Sequence, residues 1–423
     1  MLYIGFSKNA IFFDAFIGVF FWIGFWLKLT LRVIISEGLF NEPVGNFDKS
    51  GVAFDRGLLV ATCGLSGLLL VSLIRQKFFF NYPNQIEGLA HKHLFDIYKR
   101  YKKKILILFI LLFLSVAISN AFLGIYQKGL VTQLILPFSL NGVYKWLLLF
   151  GLASFSALFL RFEFEINKKT SLMAMLLSLL ESFASSVSML SRGMILNVGG
   201  LLYGVLATLN LNAIKSRLSF FIISFLIICM LFVSSILLVN YFRATKYYDD
   251  DDLSNINHKM TAMSTPLLID RWVGMEGVFA VSSHPNLGWD LWKTALKETY
   301  DENETSFYDN NFIKTPYLNT NKIKYHFISL PGIVAFFFYP GSFWFLFGSM
   351  FALGGLAAMI EFSVFRLGGK NVILCSLFAQ VIAYRFSCFG YVPAQSYMLI
   401  GALFLNLFII YFTEKLVGFY NNK

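Results

Sequence analysis

The stretch ILILFILLFLSVAISNAFLG, residues 105–124, runs for twenty residues without a charged side chain. About 20 apolar residues in an α-helix match the thickness of the hydrocarbon core of a bilayer. An α-helix also bonds its backbone N–H and C=O groups within the segment, as lipid requires. The stretch therefore predicts a transmembrane helix.

Similar apolar runs recur along the 423 residues. Together they predict ten spans, at residues 10–29, 57–74, 105–124, 143–160, 171–190, 194–210, 218–240, 330–360, 371–389 and 396–412. The eighth run is too long for one straight helix and contains Pro331 and Pro340, so we expect a short piece before the true span. Because the run 130–140 is too short to span, the total is ten to twelve.

The composition indicates the same class of protein. Hydrophobic residues make up 57% of the chain and charged residues 14%, and the mean hydropathy is +0.65. A soluble globule has too small an interior for this apolar load. The four cysteines are scattered in apolar runs with no Cys/His ligand spacing, so we expect no disulfide scaffold, no metal and no other cofactor.

The distribution of basic residues predicts the orientation. With the N-terminus inside, the inner segments hold eighteen Lys and Arg residues and the short outer loops hold five. Basic residues concentrate in cytoplasmic loops, so we expect both termini in the cytoplasm. The net charge of +11 is then a topology signal, and without a recognisable nucleic-acid motif we expect no nucleic-acid partner.

The fold predicted from these patterns is an all-α, polytopic transmembrane helix bundle of ten to twelve spans with one large extracytoplasmic loop. Residues 1–240 form spans one to seven, residues 241–325 form the polar outer loop, and residues 326–423 form spans eight to ten. Long loops in ordered proteins are usually functional. We therefore expect the loop to carry chemistry.

Within the loop, the stretch RWVGMEGVFAVSSHPNLG, residues 271–288, holds the first candidates. Helical spacing predicts helices over about 261–282 and 287–300, with a turn at Pro285. Arg271, Glu276 and His284 lie within fifteen residues of one another. The alternative is a solvated arginine and a turn histidine. We interpret Asp249–Asp252 as a solvated acidic stretch rather than a cation site, because adjacent carboxylates do not converge without a shaped loop.

Two further arginines are candidates at the outer membrane surface. Arg192 lies in the short turn Ser191–Gly193 between two spans, where it either binds a phosphate group or extends from the interface to water. Arg385 lies near the outer end of span nine. Charges within a membrane are costly and often functional, which also draws attention to Glu181 in span five.

The chain resembles the O-antigen and capsular polysaccharide repeat-unit polymerases (Wzy-type) of bacteria, which are related in layout to O-antigen ligases. Three features carry the resemblance: ten or more spans with cytoplasmic termini and one late outer loop, the Ser191–Gly193 turn, and the stretch 271–288. The resemblance covers most of the chain in layout, and its motifs are short.

The resemblance implies a metal-independent glycosyltransferase of the C type in the bacterial inner membrane. Such an enzyme transfers a growing glycan from undecaprenyl pyrophosphate to a lipid-linked repeat unit at the periplasmic face. A chain-length regulator is a further candidate partner, beside the lipid-linked glycans and the bilayer. The products are O-antigen, as part of lipopolysaccharide, or capsule.

The resemblance also implies roles for individual residues. Cations stabilise the charge of a pyrophosphate leaving group, a role that suits Arg192, Arg271 and Arg385. The acceptor hydroxyl must lose a proton, for which His284 is the candidate general base and Glu276 the second candidate. Tyr339 and Tyr391 are candidates for stacking on sugars.

Two alternatives remain open. An O-antigen ligase uses the same donor but transfers the glycan to the lipid A core, and the sequence separates it poorly from a polymerase. A polysaccharide or lipid transporter is typically built from internal repeats with charges near the membrane midplane. Here the charges concentrate in one outer loop and no repeat is evident.

Overall fold

The computed structural model describes residues 1–7, 10–40, 42–78, 80–83, 91–169, 171–211, 218–247, 272–301, 304–313 and 328–421. These residues are mostly helical and contain no β-strand, which confirms the all-α prediction for the described part of the chain. The helices are α1 (Leu2–Gly5), α2 (Phe12–Phe21), α3 (Lys28–Ser36), α4 (Gly51–Phe78), α5 (Lys92–Leu123), α6 (Leu140–Trp146), α7 (Leu152–Asn167), α8 (Leu172–Ser188), α9 (Leu196–Leu211), α10 (Leu218–Tyr247), α11 (Met275–Ser282), α12 (Trp289–Leu296), α13 (Ile333–Phe337), α14 (Phe343–Leu367), α15 (Val372–Ser387) and α16 (Gln395–Asn421). Short π- and 3₁₀-helical turns adjoin them at Trp22–Leu27, Pro137–Ser139, Leu147–Gly151, Arg192–Ile195 and Asp309–Ile313.

Seven of the described helices are long and apolar enough to cross a membrane. They are Phe12–Ile35, Gly51–Phe78, Lys92–Leu123, Pro137–Asn167, Phe225–Phe242, Phe343–Leu367 and Gln395–Tyr420. Three shorter apolar helices, Leu172–Ser188, Leu196–Asn210 and Val372–Ser387, coincide with the remaining predicted spans. The prediction of a multi-pass helical membrane protein is confirmed at this level, whereas the orientation and the outer loop stay predictions.

The eighth apolar run divides as expected into a short helix and a span. Pro331 precedes α13, and Gly332 adopts a φ of +81° that favours glycine. After α13 the chain turns at Pro340 and at Gly341, whose φ is +73°, before α14 begins. The turn residues thus interrupt the run, and α14 is the part long enough to cross a membrane.

The described residues fall into two compact units. Unit 1 is built from the ranges Met1–Tyr82, Asn255–Ile360 and Ile382–Ile400. Unit 2 is built from Pro83–Ser254, Glu361–Val381 and Gly401–Lys423.

In unit 2, α8 packs against α5, α7, α9 and α10. Part of α15 joins α7 and α9 through buried polar contacts. The side-chain oxygen of Asn371 caps the first turn of α15 by accepting a hydrogen bond from the backbone N–H of Ile373 at 3.0 Å. The side-chain amide N–H of Asn371 donates to the Ala157 carbonyl at 3.3 Å. Ser376 donates to the Gly200 carbonyl at 2.6 Å. Buried polar groups require such partners, so these bonds fix the helices in register.

Candidate functional site

Helix α11 belongs to the candidate loop, yet all eight of its residues are buried. It packs on α4 and α13 within unit 1. The loop therefore contributes a core element to this unit.

Phe279 is the apolar anchor of α11. Its ring stacks on Phe47 with centroids 4.3 Å apart, and it meets Phe54 edge-on at 5.2 Å. The ring also lies against Gly57 of α4, where a Cβ atom would come within 2.4 Å of it. A glycine at residue 57 is thus what allows the phenylalanine ring to approach the helix backbone.

We expect Gly277→Ala to destabilise unit 1, because the new Cβ would lie 2.0 Å from the Pro331 carbonyl oxygen. That neighbour is backbone, so relief requires a shift of α11, and overpacking of this kind costs about 1–3 kcal/mol or more. The measurement is the melting temperature of the purified protein in detergent. Gly288→Ala is the matched control, since nothing lies within 4 Å of its Cβ position. Equal melting temperatures for the two variants would contradict the packing described.

A buried ion pair joins α11 to the first membrane helix. The Lys28 Nζ lies 2.7 Å from Oε1 of Glu276, with side chains 3% and 7% exposed. Nζ also donates a hydrogen bond to the Trp272 carbonyl oxygen at 2.8 Å. Glu276 occupies the first turn of α11, where the helix dipole favours a negative charge. The carboxylate thus has both the lysine and the positive end of the helix dipole near it.

Lys28 is not among the site residues predicted from the sequence. It lies at the end of the predicted span 10–29, and the described helix Phe12–Ile35 runs past it. A lysine within an apolar helix is itself a signal, because such charges face the protein interior and find partners there. The structure shows the partner to be a residue 248 positions later in the chain.

In the described part of the predicted helix 261–282, residues Met275–Ser282 are helical, and the predicted helix 287–300 covers Trp289–Leu296. Residues 261–271 lie outside the described residues. Gly274 has an extended backbone and runs so close to Gly24 that a Cβ atom on it would lie 1.9 Å from the Gly24 carbonyl oxygen. Residues 272–274 are thus non-helical and lie against the π-helical turn Trp22–Leu27 at Gly24, and α11 begins directly after them.

His284 lies in the predicted turn just after α11. Its ring is half-buried against Phe312, with centroids 4.9 Å apart, and its Nδ1 accepts a hydrogen bond from the Asn286 N–H at 3.2 Å. Burial lowers the pKa of His284 below the ordinary histidine value, because the imidazolium loses water. The ring is therefore neutral at pH 7, with its proton on Nε2 when Nδ1 accepts.

Two carboxylates that the sequence did not single out, Glu298 and Asp309, bind separate segments of unit 1 to one another. Glu298 accepts the backbone N–H groups of Phe307 at 2.5 Å and Val392 at 2.8 Å. Asp309 accepts from the Ser306 hydroxyl at 2.6 Å and from the Ser329 N–H at 3.0 Å. Burial raises the pKa of both carboxyls, and these donors oppose that rise. These hydrogen bonds connect segments that are distant in sequence, so local sequence patterns do not predict them.

The two candidate stacking residues are packed inside unit 1. Tyr339 is fully buried, and its ring lies 4.5 Å from Phe312. Tyr391 is also buried, with its ring 6.1 Å from that of Tyr300. A sugar would reach either ring only after the surrounding side chains move.

The three candidate arginines differ in position. Arg385 lies in the last turn of α15 in unit 1, half-buried, with its Cζ 6.0 Å from the centre of the Phe389 ring. Arg192 begins a 3₁₀ turn in unit 2, and its side chain lies outside the described part of the structure. Arg271 lies outside the described residues, as does Asp249–Asp252. Of the predicted site residues that the structure describes, Glu276, His284, Arg385, Tyr339 and Tyr391 all belong to unit 1.

Comparison with protein-family models, with curated proteins and with solved structures finds no match for this chain.

Proposed function

We propose that the chain is a membrane glycosyltransferase that polymerises undecaprenyl-pyrophosphate-linked repeat units at the outer face of the bacterial inner membrane. The observation that carries the proposal is the burial of the loop helix α11 in unit 1, with Glu276 paired to a lysine of the first membrane helix. A reaction on a lipid-linked substrate needs polar groups held beside membrane helices, and this contact supports the proposal because it holds the loop helix against the first of them.

The geometry favours His284 over Glu276 as the general base. Glu276 is almost fully buried and its carboxylate is engaged by Lys28. His284 is half-exposed, and the lowered pKa keeps its ring neutral near pH 7. A base must be both deprotonated and accessible to the acceptor hydroxyl. Glu276 then contributes a fixed negative charge beside the site, and Arg192, Arg271 and Arg385 remain the proposed ligands of the pyrophosphate.

The test of the function is reconstitution of the purified protein in lipid with a synthetic undecaprenyl-pyrophosphate oligosaccharide. Polymerase activity gives a ladder of lipid-linked chains longer than the starting repeat unit. A ladder in a control without protein, or no extension by the protein under any donor concentration, would overturn the proposal. Extension that appears only when lipid A core is added would identify a ligase instead.

We expect residues 241–325 and 75–104 to lie on opposite sides of the membrane. The basis is the excess of basic residues in the proposed inner segments. Fusions to a periplasmic and a cytoplasmic reporter at Asn255 and at Asn84 measure this directly. Activity of the same reporter at both positions would exclude the proposed topology and the outer-face site with it.

Replacement of Arg192 or Arg271 by alanine is expected to abolish long chains while the protein level stays normal. An arginine fork binds a phosphate through two parallel hydrogen bonds, which a lysine does not reproduce, so Arg→Lys should rescue poorly. The chain-length ladder on gels is the readout, and Arg56→Ala, at an exposed position near the proposed outer end of α4, is the control. A normal ladder with Arg271→Ala would remove that residue from the site.

A further inference from the structure

Glu181 lies in the middle of α8, at the centre of unit 2, and plays no part in the proposed transferase site. The residue is 2% exposed. Its carboxyl oxygens lie 2.9 Å from the Ser185 hydroxyl and 3.3 Å from the Ser182 hydroxyl. These serines are buried on the same helix, so the carboxyl is surrounded by protein.

Among the residues described, no ammonium or guanidinium group pairs with Glu181. Helix α8 packs against α5, α7, α9 and α10 and against the 3₁₀ turn that begins at Arg192. The charges of α5 all lie between Lys92 and Lys104, away from the apolar remainder of that helix. On α7, Arg161 pairs with Glu165 at 2.6 Å.

Other charged groups on these elements have a partner of their own or lie outside the described part. Tyr98 and Lys102 of α5 bind Glu163 of α7. Helix α9 carries no charged residue, and its one ionisable group is Tyr203. On α10 and the 3₁₀ turn, the charged side chains lie outside the described part: Arg192, Arg243 and Lys246.

An ionised carboxylate buried without an opposite charge carries a desolvation cost far above that of its neutral acid. Two serine hydroxyls offset only part of this cost, since each net hydrogen bond to a charged group contributes about 1.5–3 kcal/mol. A protonated carboxyl, by contrast, donates one hydrogen bond and accepts another, which suits a pair of serines. We infer that Glu181 is a proton-binding site within the membrane helices, occupied as a carboxylic acid hydrogen-bonded to Ser182 and Ser185.

Glu163 provides the matched comparison within the same unit. It is equally buried, with a side chain 4% exposed, but the Lys102 Nζ lies 2.6 Å from its carboxylate. The Tyr98 hydroxyl and the Asn167 amide donate to the same group at 2.9 Å and 3.0 Å. Among the described residues Glu163 thus has a counter-charge and Glu181 has none, and this is the chief difference between the two glutamates.

The test is labelling of the intact purified protein with dicyclohexylcarbodiimide, an apolar reagent that modifies protonated carboxyls. The acid donates its proton to a carbodiimide nitrogen as its oxygen bonds to the central carbon. We expect peptide mass spectrometry to find the adduct on Glu181 and not on Glu163, with labelling that declines as the pH rises. Glu181→Gln, which is isosteric and retains groups for both serines, should lose the adduct and still fold.

A second measurement does not depend on the reagent reaching the site. The carboxylic-acid C=O band in the infrared spectrum of the protein should lose intensity in Glu181→Gln and be unchanged in Glu163→Gln. No adduct on Glu181 together with no loss of that band would overturn the inference. Protection from labelling by Na⁺ at constant pH and ionic strength would also overturn it, since the site would then hold a metal cation. None of these readouts requires transferase activity, so the inference stands or fails apart from the proposed function.

Discussion

Glu276→Gln is expected to lower the free energy of unfolding by about 3–5 kcal/mol, the usual effect of removing one partner from a buried ion pair. The variant leaves the ammonium group of Lys28 in a position where its side chain is 3% exposed. The ammonium group retains the Trp272 carbonyl at 2.8 Å and loses the carboxylate at 2.7 Å. Because α11 is a core helix of unit 1, the loss should appear as a large fall in melting temperature.

The double variant Lys28→Met with Glu276→Met is the critical companion. It removes both charges and retains apolar bulk, and replacement of a buried pair by apolar side chains is often neutral. We therefore expect it to recover most of the stability lost in the single variant. Lys293→Met is the matched surface control in the same unit, because Lys293 and Asp290 form an exposed pair at 3.8 Å and should contribute nothing measurable.

The melting temperatures of the three variants and the native protein show whether the opposite charges of Lys28 and Glu276 stabilise the fold. A double variant as unstable as Glu276→Gln would mean that the geometry of the two side chains, and not their opposite charges, holds α11 in place. In reconstituted lipid, the stable double variant also separates fold from function. If it folds but does not extend glycan chains, the charged pair of Lys28 and Glu276 acts in the reaction.

The membrane helices were predictable from sequence because each one is a local pattern. Twenty apolar residues, as in 105–124, have few alternatives to a helix in lipid. The break before α14 was predictable too, since Pro331, Pro340 and two glycines lie beside it in the sequence. These features depend on neighbours along the chain, and the structure confirms them.

The candidate site was less predictable because its contacts are long-range. Nothing near Glu276 in sequence indicates Lys28, and nothing near Glu298 indicates that its carboxylate binds the Val392 N–H. The spacing predicted a helix that includes residues 272–274, whereas these three residues are non-helical and pack on Gly24. Tertiary contact thus overrode local helical spacing at that point, as it does for a weak propensity.

His284→Gln is expected to reduce chain extension about 10²–10⁴-fold, the usual loss when a general base is removed. Glutamine retains a polar side chain and an N–H donor but does not take up a proton at neutral pH. The melting temperature should stay near the native value, because the ring is half-buried and its polar contact is a 3.2 Å bond from the Asn286 N–H. Asn286→Ala keeps that backbone N–H and serves as the matched control, with full activity expected.

The pH profile gives an independent check on the same role. A histidine acts as a base only in its neutral form. Burial lowers the pKa of His284 from the ordinary value of about 6.5. Activity should therefore persist at that pH and decline only on further acidification, as the ring becomes protonated. The measurement is the initial rate of chain extension in lipid vesicles from pH 5 to pH 8.

A different outcome would assign the histidine a different task. When Nδ1 accepts from Asn286, the neutral ring presents Nε2–H as a donor, so the ring must give up this bond or change tautomer to accept a proton. If His284→Gln extends chains normally, the side chain acts as a donor or as a packing group against Phe312, and the base lies elsewhere. Glu276 would then be tested by the double variant Lys28→Met with Glu276→Gln, in which a loss of extension no longer reflects the broken ion pair with Lys28.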